Sequence, residues 1–475
     1  MLRGGGLASS DGYDDSVYYA AATAVVHGRM PYSDFVLLHP PGLILALTPF
    51  AELARLCGDR LGQDIARAGF MALGALNAVL VMRLGRRFGL AAGLFAGLAY
   101  AVSFPALYAE RTTTLEALGT TTLLVAMTLL VRPGIRHRPP PPLSLLRLAG
   151  AGATLGAGAA VKIWGVVPLA VLAVWVLVVA GWRAAAWLSA AALAAVTAIC
   201  LPFFLRAPGV MTQYVVSDQL SRPRSPTTID TRVTEMTGLQ VVLAGFSVST
   251  VHLAVVVVLA VLVAASVAAL RTPGARVFVA LLVAQGAVLL ASPTFYLHYT
   301  TLPAAPAALL LGIGGGRAFR RLSRGTPAPL AWVGAVAALA VVVAYGVPGA
   351  MLPKGKHFPA ELAAAAARTS GCITADDPTY LIEMNVLSRD LDAGCQVWID
   401  VTGLTYDPAA GGGDGRRHPR RMNARWLRQL NDYLLSGSAT MVERKATALD
   451  RASQTRIQRL PVLATGNAFR LRRVR

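Results

Sequence analysis

Long apolar segments recur along the first 350 residues of the chain and are separated by short polar connections. Each has a length close to that needed to cross a hydrocarbon core of about 30 Å. Because this core offers no water to backbone amides and carbonyls, every such segment is predicted to be a helix. The ten predicted spans are 65–82, 89–106, 113–131, 146–161, 166–181, 184–205, 244–270, 277–292, 300–315 and 328–348.

Composition agrees with a membrane protein. The 475-residue chain is 55% hydrophobic and 14% charged, whereas soluble domains have about 25% charged residues. A net charge of +20 is also typical of nucleic-acid binding. Here, however, the arginines form short clusters between apolar segments, which is the distribution that sets membrane topology. We therefore predict the lipid bilayer as a partner, and no nucleic acid.

Basic and acidic residues occupy alternate connections between the spans. The connections that contain arginine and no acid are 83–87, 132–147, 181–183, 271–276 and 317–324. Every acid before residue 350 lies in the other connections. Since cytoplasmic loops carry the excess of Lys and Arg, the arginine connections are predicted to be cytoplasmic and the acids to face outward.

The pattern divides the chain into three regions. Residues 1–64 form a first outer loop, and 65–350 form a helical bundle that is interrupted by a long outer loop at 206–240. The last region, 351–475, has an ordinary acid content and is predicted to be a separate extracytoplasmic domain. The localisation that follows is that of a multi-pass membrane protein.

Two short helices are predicted in the first loop, at 15–27 and 43–57, the second lying along the membrane surface. Ten spans would place both chain ends outside, yet the opening MLRGGGLASS has no apolar segment to drive export. We therefore expect one further helix encoded upstream of Met1. The alternative is that 65–82 inserts with its N-terminus outside, helped by the arginines that follow it.

In the last region, the runs GCITADD, PTYLIEMNVLS and GCQVWIDVTG are typical of a strand, a helix and a strand, which predicts a small α/β unit. Cys372 and Cys395 each begin a predicted strand on the oxidising side of the membrane. They form either a disulfide or two unpaired buried thiols. The glycine-rich segments 312–319 and 408–421 are interpreted as a flexible helix end and a flexible loop.

The segment YDDSVYYAAATAVVHGRMPYSDFVLLHPPG (13–42) presents an ordered set of motifs. An acidic pair is followed by a tyrosine three residues later, an Ala-rich helix, Gly-x-x-Pro-Tyr-x-Asp-Phe and His-Pro-Pro. The residues are Asp14, Asp15, Tyr18, Gly28, Pro31, Tyr32, Asp34, Phe35, His39, Pro40 and Pro41. This order resembles the first outer loop of the GT-C superfamily, especially actinobacterial-type members of the branch that contains protein mannosyltransferases and aminoarabinose transferases.

Three further segments, 110–116, 159–168 and 292–306, also resemble conserved places of that superfamily. The resemblance implies an α-helical polytopic membrane protein of about 10–11 transmembrane helices with a small C-terminal extracytoplasmic α/β domain. It also implies an inverting glycosyltransferase that uses a polyprenyl-phosphate sugar donor. The sugar, a hexose or a pentose, would pass to an envelope glycan, lipid or protein on the outer face of a bacterial plasma membrane.

The residue types suit this chemistry, because transfer needs a base for the acceptor hydroxyl and cations for the departing phosphate. We predict Asp14 as the base and Asp15 as a residue that orients donor or acceptor. The alternative is that both acids cap the helix at 15–27. No cofactor is predicted, although a metal ion held by Asp14 and Asp15 stays an alternative.

The donor phosphate is predicted to contact cationic residues near the outer ends of helices and in the long outer loop. They are Arg111, Lys162, His298, Arg222 and Arg224. Competing interpretations are a salt bridge from Arg111 to Glu110 or Glu116, snorkelling of Lys162, and an interfacial aromatic belt that includes His298. The predicted substrate contacts are Tyr18, Tyr32, Asp34, His39, Glu116 and Tyr299.

Two other functions fit a polytopic chain of this kind. A transporter or flippase for a lipid-linked sugar would place charges near the bilayer midplane and often shows inverted repeats. The predicted spans are nearly free of charge, and the ionisable groups collect at their outer ends, which favours chemistry at the surface. A non-catalytic scaffold that binds polyprenyl lipids is the third possibility.

Overall fold

Helices dominate the chain. The structure is a computed structural model, and it describes residues 7, 12–131, 143–222, 224–322, 357–403 and 423–475. The helices up to residue 322 are α1 (Tyr13–Val26), α2 (Gly42–Cys57), α3 (Asp59–Arg86), α4 (Leu90–Ala101), α5 (Phe104–Glu110), α6 (Leu115–Leu130), α7 (Leu145–Val161), α8 (Val166–Ala180), α9 (Trp182–Arg206), α10 (Pro208–Thr212), α11 (Asp218–Leu220), α12 (Ile229–Thr237), α13 (Leu239–Val242), α14 (Val248–Leu270), α15 (Arg276–Ala291) and α16 (Ala304–Leu322).

Within the described ranges, five helical segments are long and apolar enough to cross a membrane. They are Asp59–Arg86, Ile163–Ala180, Trp182–Arg206, Val248–Leu270 and Leu297–Arg321. The helices α4 and α5, bent by 58° at their junction, together make a sixth candidate, and α6, α7 and α15 are shorter apolar helices. Nine predicted spans thus coincide with apolar helices, and the tenth, 328–348, lies outside the described residues.

Small residues allow helices of the bundle to pack at close range. A Cβ placed on Gly312 would lie 2.5 Å from the Ala92 carbonyl oxygen, and one on Gly316 would lie 2.8 Å from the Ala92 nitrogen. Close backbone contact of this kind stabilises helix pairs in membranes. Residues 312–319, which were interpreted as a flexible helix end, thus lie within α16 and pack closely on α4.

The first loop forms two helices joined by a tight turn. Both helices begin within two residues of the predicted positions, as α1 and α2. In the turn, the backbone amide of Tyr32 donates to the Phe35 carbonyl at 2.9 Å, and Tyr32 has a φ of 71°. The Asp34 carboxylate accepts the Met30 amide at 2.7 Å. The Tyr32 hydroxyl donates to the His39 carbonyl at 2.7 Å, so this turn fixes the position of the His-Pro-Pro segment.

The segment after α9, predicted as a long outer loop over 206–240, contains short helices in its described part. At the start of α12, the Thr228 side chain accepts the Thr231 amide, which satisfies one of the free N–H groups of the first turn. The helix ends at Gly238, whose φ of 72° is the left-handed conformation typical of a helix C-terminus.

Residues 357–403 and 423–475, here called the C-terminal domain, contain short helices and a four-stranded sheet. Its helices of six or more residues are Ala360–Arg368, Pro378–Glu383, Leu387–Asp392, Ala424–Leu434 and Arg451–Gln458. Its strands are β1 (Ile373–Ala375), β2 (Ala439–Met441), β3 (Val462–Gly466) and β4 (Phe469–Arg473). The sheet order is β1-β2-β4-β3; β1 runs parallel to β2, and the other neighbours are antiparallel.

The predicted α/β unit is present, but the prediction of its second strand is wrong. Residues 395–403 are irregular, and β1 pairs with β2 from much later in the chain. The segment is irregular because its side chains make turn and packing contacts of their own. The ring of Trp398 stacks on Tyr433 at 4.9 Å, and Asp400 accepts the Gly403 amide at 2.9 Å. The predicted flexible loop 408–421 lies outside the described residues.

A disulfide joins Cys372 to Cys395 and closes a segment of 23 residues. Of the two alternatives that the sequence left open, the structure thus has the bonded one. Replacing both cysteines by serine is expected to lower the free energy of unfolding by about 3 kcal/mol, the loop-entropy value for such a segment. The free Cys57 provides the matched control, as Cys57→Ser.

Denaturant unfolding of the full chain, followed by tryptophan fluorescence, measures this difference. Equal stabilities of the double variant and Cys57→Ser would contradict the expected role of the disulfide.

The C-terminal domain packs on α1 and on the start of α3. The Asp59 carboxylate accepts the Ser388 amide at 3.1 Å as well as its hydroxyl, and Arg60 lies 3.3 Å from the Glu383 carboxylate. Helix α1 is buried from residue 15 to residue 24, because it lies between the apolar helices and this domain. The first turn of α1 is thereby held at the junction of the two parts.

Candidate active site

A cavity of about 340 Å³ lies at this junction. Its wall is built by the first turn of α1, the 37–39 segment, the residues after α5, the 296–299 segment and the C-terminal domain. Eight of the predicted site residues line it: Asp14, Asp15, Tyr18, His39, Arg111, Arg222, His298 and Tyr299. The structure therefore brings together residues that lie up to 285 positions apart in the chain.

Asp14 presents a half-buried carboxylate at this cavity. Within the described part of the chain it accepts no hydrogen bond, and α1 has no side-chain cap at its N-terminus. Asp14 is close enough to Tyr18 and Tyr299 to interact with them electrostatically. An acid that is partly desolvated and not engaged in a cap suits a proton acceptor.

Asp15 has a different environment, with only 1% of its side chain exposed. One carboxylate oxygen accepts two hydrogen bonds from the Arg67 guanidinium, at 2.8 and 2.6 Å. The other accepts the Thr113 amide at 2.7 Å and its hydroxyl at 2.5 Å. Both oxygens are therefore engaged by α3 and by the segment between α5 and α6, which favours a positioning role.

Two arginines of the predicted phosphate set lie at the cavity. The Arg111 guanidinium lies 4.8 Å from the centre of the Tyr108 ring, and an Arg222 nitrogen lies 3.4 Å from the Tyr299 hydroxyl. The two acids that were candidates for a salt bridge with Arg111 have other partners. Glu110 accepts hydrogen bonds from Asn77 and Tyr100, and Glu116 pairs elsewhere.

His39 is buried in the cavity wall, edge-on to the Tyr18 ring at 5.8 Å. Burial lowers its pKa well below the usual value, and the positive charges of Arg222, Lys162 and His298 lower it further. The imidazole is therefore neutral at physiological pH, and its Nδ1 faces no hydrogen-bond partner within the described residues. Burial likewise raises the pKa of the Tyr18 hydroxyl, which stays protonated and able to donate.

Lys162 and Glu116 form a buried ion pair at 2.6 Å beside the cavity. The Lys162 ammonium also lies 3.7 Å from the centre of the Tyr299 ring, and His298 Nε2 lies 3.9 Å from the same Glu116 oxygen. Lys162 is thus held inside the protein and does not snorkel. The pair lines a smaller cavity of about 30 Å³ and contacts the main one through Tyr299 and His298.

The C-terminal domain contributes cavity residues that sequence reasoning missed. The Tyr13 hydroxyl donates to Asp400 at 2.7 Å and accepts the Thr402 amide at 3.1 Å. The Arg444 guanidinium lies 3.5 Å from the centre of the Tyr13 ring and 3.6 Å from Asp377. We call Tyr13, Asp400, Thr402 and Arg444 the Tyr13 clamp. The tyrosine next to the acidic pair was its only signal in the sequence.

Burial within the clamp keeps the Tyr13 hydroxyl protonated. Burial raises the pKa of Tyr13 well above its usual value, and the Asp400 charge raises it further. Nearby, Asp376 accepts the amides of Glu443 and Arg444 at 3.2 and 3.0 Å, which fixes the segment that carries Arg444. Burial and the neighbouring Asp377 raise the pKa of Asp376 to about 7.

Three predicted residues lie elsewhere. Tyr32 and Asp34 line a second cavity of about 490 Å³, on the far side of Asp400. Arg224 is exposed and lines none of the three cavities named here. Among the described residues, no three His, Cys, Asp or Glu side chains are grouped so that they could hold a metal ion.

The fold is similar to those of solved structures of ArnT and of an oligosaccharyltransferase. The structure resembles ArnT from Cupriavidus metallidurans in the apo state, with a TM-score of 0.60 and 15% identity, over 96% of this chain and 92% of that one. For ArnT bound to undecaprenyl phosphate the TM-score is 0.61, at the same identity and coverage. An Archaeoglobus fulgidus oligosaccharyltransferase tethered with an acceptor peptide gives 0.51 and 12%, over 82% of this chain and 60% of that one.

Sequence comparison gives the family. No curated protein sequence matches the chain significantly. The family model described as glycosyltransferase family 87 matches residues 37–293, which is more than half of the chain. With the fold similarity, this confirms the predicted membership of the GT-C superfamily. The protein is therefore a membrane glycosyltransferase that belongs to glycosyltransferase family 87.

Proposed function

We propose that the protein transfers one monosaccharide from a polyprenyl-phosphate donor to an acceptor hydroxyl, with inversion at the anomeric carbon. The observation that carries this proposal is that the carboxylate of Asp14 lines the same cavity as Arg111 and Arg222. Undecaprenyl phosphate bound to the structurally similar ArnT supports the class of donor. The proposed site is the outer face of a bacterial plasma membrane, with the C-terminal domain extracytoplasmic.

The reaction needs one base and a stabilised leaving group. Asp14 accepts the proton of the acceptor hydroxyl, and the hydroxyl oxygen forms a bond to the anomeric carbon. The bond from that carbon to the phosphate oxygen breaks, and its electron pair stays on the polyprenyl phosphate. Arg111 and Arg222 stabilise the dianion that results, as fixed cations do for a developing charge.

Other cavity residues position these groups. Asp15 holds the first turn of α1 through Arg67, so that Asp14 keeps its place in the cavity wall. Neutral His39 and protonated Tyr18 supply hydrogen bonds to the sugar or the phosphate. The ion pair of Lys162 with Glu116 orients Tyr299, over which the Lys162 ammonium lies.

Transfer by purified protein in detergent tests this function directly. The substrates are a panel of radiolabelled polyprenyl-phosphate sugars, with an envelope extract as the source of acceptors. Transfer from one of these donors is the expected result. Donor binding without transfer of any sugar would contradict the proposal and favour a carrier or a scaffold.

Arg222 and Arg224 provide a matched pair for the donor phosphate. Arg222→Ala is expected to weaken inhibition by free undecaprenyl phosphate about 10–100-fold, because a hydrogen bond to a charged group contributes about 1.5–3 kcal/mol. Arg224→Ala removes the same charge from an exposed position outside the cavity and should leave the inhibition constant unchanged. Equal effects of the two substitutions would show that the contribution is general electrostatic attraction, and not a phosphate contact.

A further inference from the structure

The second cavity, of about 490 Å³, lies between the first loop and the C-terminal domain. Its volume is within the range of small-molecule sites, about 300–1,000 Å³. The residues that line it are Tyr32, Ser33, Asp34, Phe35, Val36, Tyr214, Gln396, Val397, Trp398, Ile399, Asp400, Arg425, Gln429, Asp432 and Tyr433. Its volume is larger than that of the cavity at the candidate active site, and the proposed reaction gives it no role.

Aromatic rings form one part of its wall. Trp398 and Tyr433 stack in parallel, with ring centres 4.9 Å apart and planes inclined by 4°. Tyr433 is buried, whereas Trp398 is half-buried at the cavity. The stack fixes the indole ring as a flat apolar surface at low entropic cost on binding.

Polar side chains from one face of helix Ala424–Leu434 form another part. Arg425, Gln429 and Asp432 are spaced by four and three residues, which places them next to one another on the helix surface. All three are exposed, and they supply guanidinium and amide donors together with amide and carboxylate acceptors. The opposite face of the helix is anchored by the buried Trp426 and Leu430, so the polar row is held in place.

This combination suits a carbohydrate. A sugar ring presents an apolar C–H face, which packs on an aromatic ring, and a rim of hydroxyls that both donate and accept hydrogen bonds. A lipid chain would leave the polar row unsatisfied. A polyphosphate would meet the carboxylates of Asp34, Asp400 and Asp432, against the single guanidinium of Arg425.

The two cavities meet at Asp400, which lines both of them. Its position is fixed by the Tyr13 hydroxyl at 2.7 Å and the Gly403 amide at 2.9 Å. The two cavities are therefore adjacent, and an acceptor of several sugars is long enough to contact both of them.

We infer that the second cavity binds an oligosaccharide segment of the acceptor, whose terminal hydroxyl reaches Asp14 in the first cavity. This inference rests on the proposed function, because only a transferase has an acceptor. It identifies the acceptor as a glycan or a glycolipid with several sugar residues, and the helix face at Arg425, Gln429 and Asp432 as its recognition surface.

Direct binding tests the surface without need of activity. Full-length protein in detergent is applied to an array of bacterial and synthetic oligosaccharides, envelope lipids and peptides. Wild type and Arg428→Ala are expected to bind the same oligosaccharides, and Arg425→Ala to bind them at least 10-fold more weakly. Arg428 is an exposed arginine of the same helix that does not line the cavity. Equal binding by all three proteins, binding to peptides or lipids only, or no oligosaccharide binding would overturn the inference.

Kinetics separate this inference from the proposed function. Synthetic acceptors of one to four sugars, chosen from the glycans transferred in the radiolabel assay, are compared for wild type, Gln429→Ala and Arg428→Ala. The KM of the longest acceptor should rise about 10-fold in Gln429→Ala alone, with the KM of the one-sugar acceptor and of the donor unchanged. Transfer with no dependence on acceptor length would overturn the inference and leave the proposed function standing. Absence of transfer from every polyprenyl donor would overturn the proposed function itself.

Discussion

Replacing Asp14 by asparagine is expected to lower kcat/KM for sugar transfer about 10²–10⁴-fold, the usual contribution of a positioned general base. Asparagine keeps the size of the side chain and removes its ability to accept the proton. The carboxylate accepts no hydrogen bond within the described residues, so its loss should leave the fold intact. Initial rates with the radiolabelled donor, together with thermal unfolding in detergent, measure both properties.

The control for this substitution is Asp230→Asn. Asp230 is exposed, belongs to α12, lies 3.2 Å from His252 and does not line the cavity. Its replacement removes one carboxylate from the surface and should leave the rate of transfer unchanged. Retention of more than about a tenth of the wild-type rate by Asp14→Asn would show that another group accepts the proton.

Replacing Asp15 by alanine is expected to lower the free energy of unfolding by about 3–5 kcal/mol, the usual cost of removing one partner of a buried ion pair. Only 1% of each side chain, that of Asp15 and that of Arg67, is exposed. The substitution also removes the acceptor of the Thr113 amide. Thermal or denaturant unfolding of the purified variant measures the loss.

A double variant distinguishes a positioning role of Asp15 from a chemical one. In Asp15→Ala with Arg67→Met, the buried guanidinium that faced Asp15 is removed as well, and most of the lost stability should return. If Asp15→Ala instead unfolds like the wild type and loses transfer, Asp15 takes part in the chemistry. The pair of acids would then share the role that we assign to Asp14.

The sequence predicted the helical bundle and much of the cavity because the relevant signals are local. Apolar length indicates a membrane helix, and the acids and aromatic rings of the first loop stand out against it. The partners of these residues were not predictable. Glu116 and Lys162 were each expected to contact substrate, yet they form an ion pair with each other. This pair depends on how the two segments pack against each other, which neither segment shows by itself.

Contacts across the chain were missed for the same reason. The hydrogen bond between Tyr13 and Asp400 joins positions 387 residues apart, and Arg444 lies in a polar stretch with no motif. The run QVWIDVTG has the composition of a strand, yet stacking of Trp398 and the turn at Asp400 prevent it from joining the sheet. Tertiary packing overrode a β-propensity that depends strongly on context.

The Tyr13 clamp also bears on how the protein is made. A ribosome completes every helix from Asp59 to Leu322 well before it adds Arg444. During that interval the nascent chain can insert its apolar helices, but the Arg444 guanidinium that covers the Tyr13 ring has not yet been synthesised. The cavity wall is therefore completed only after the helices up to Leu322 have been synthesised, and a chain stopped before residue 444 would lack the part of the wall that Arg444 supplies.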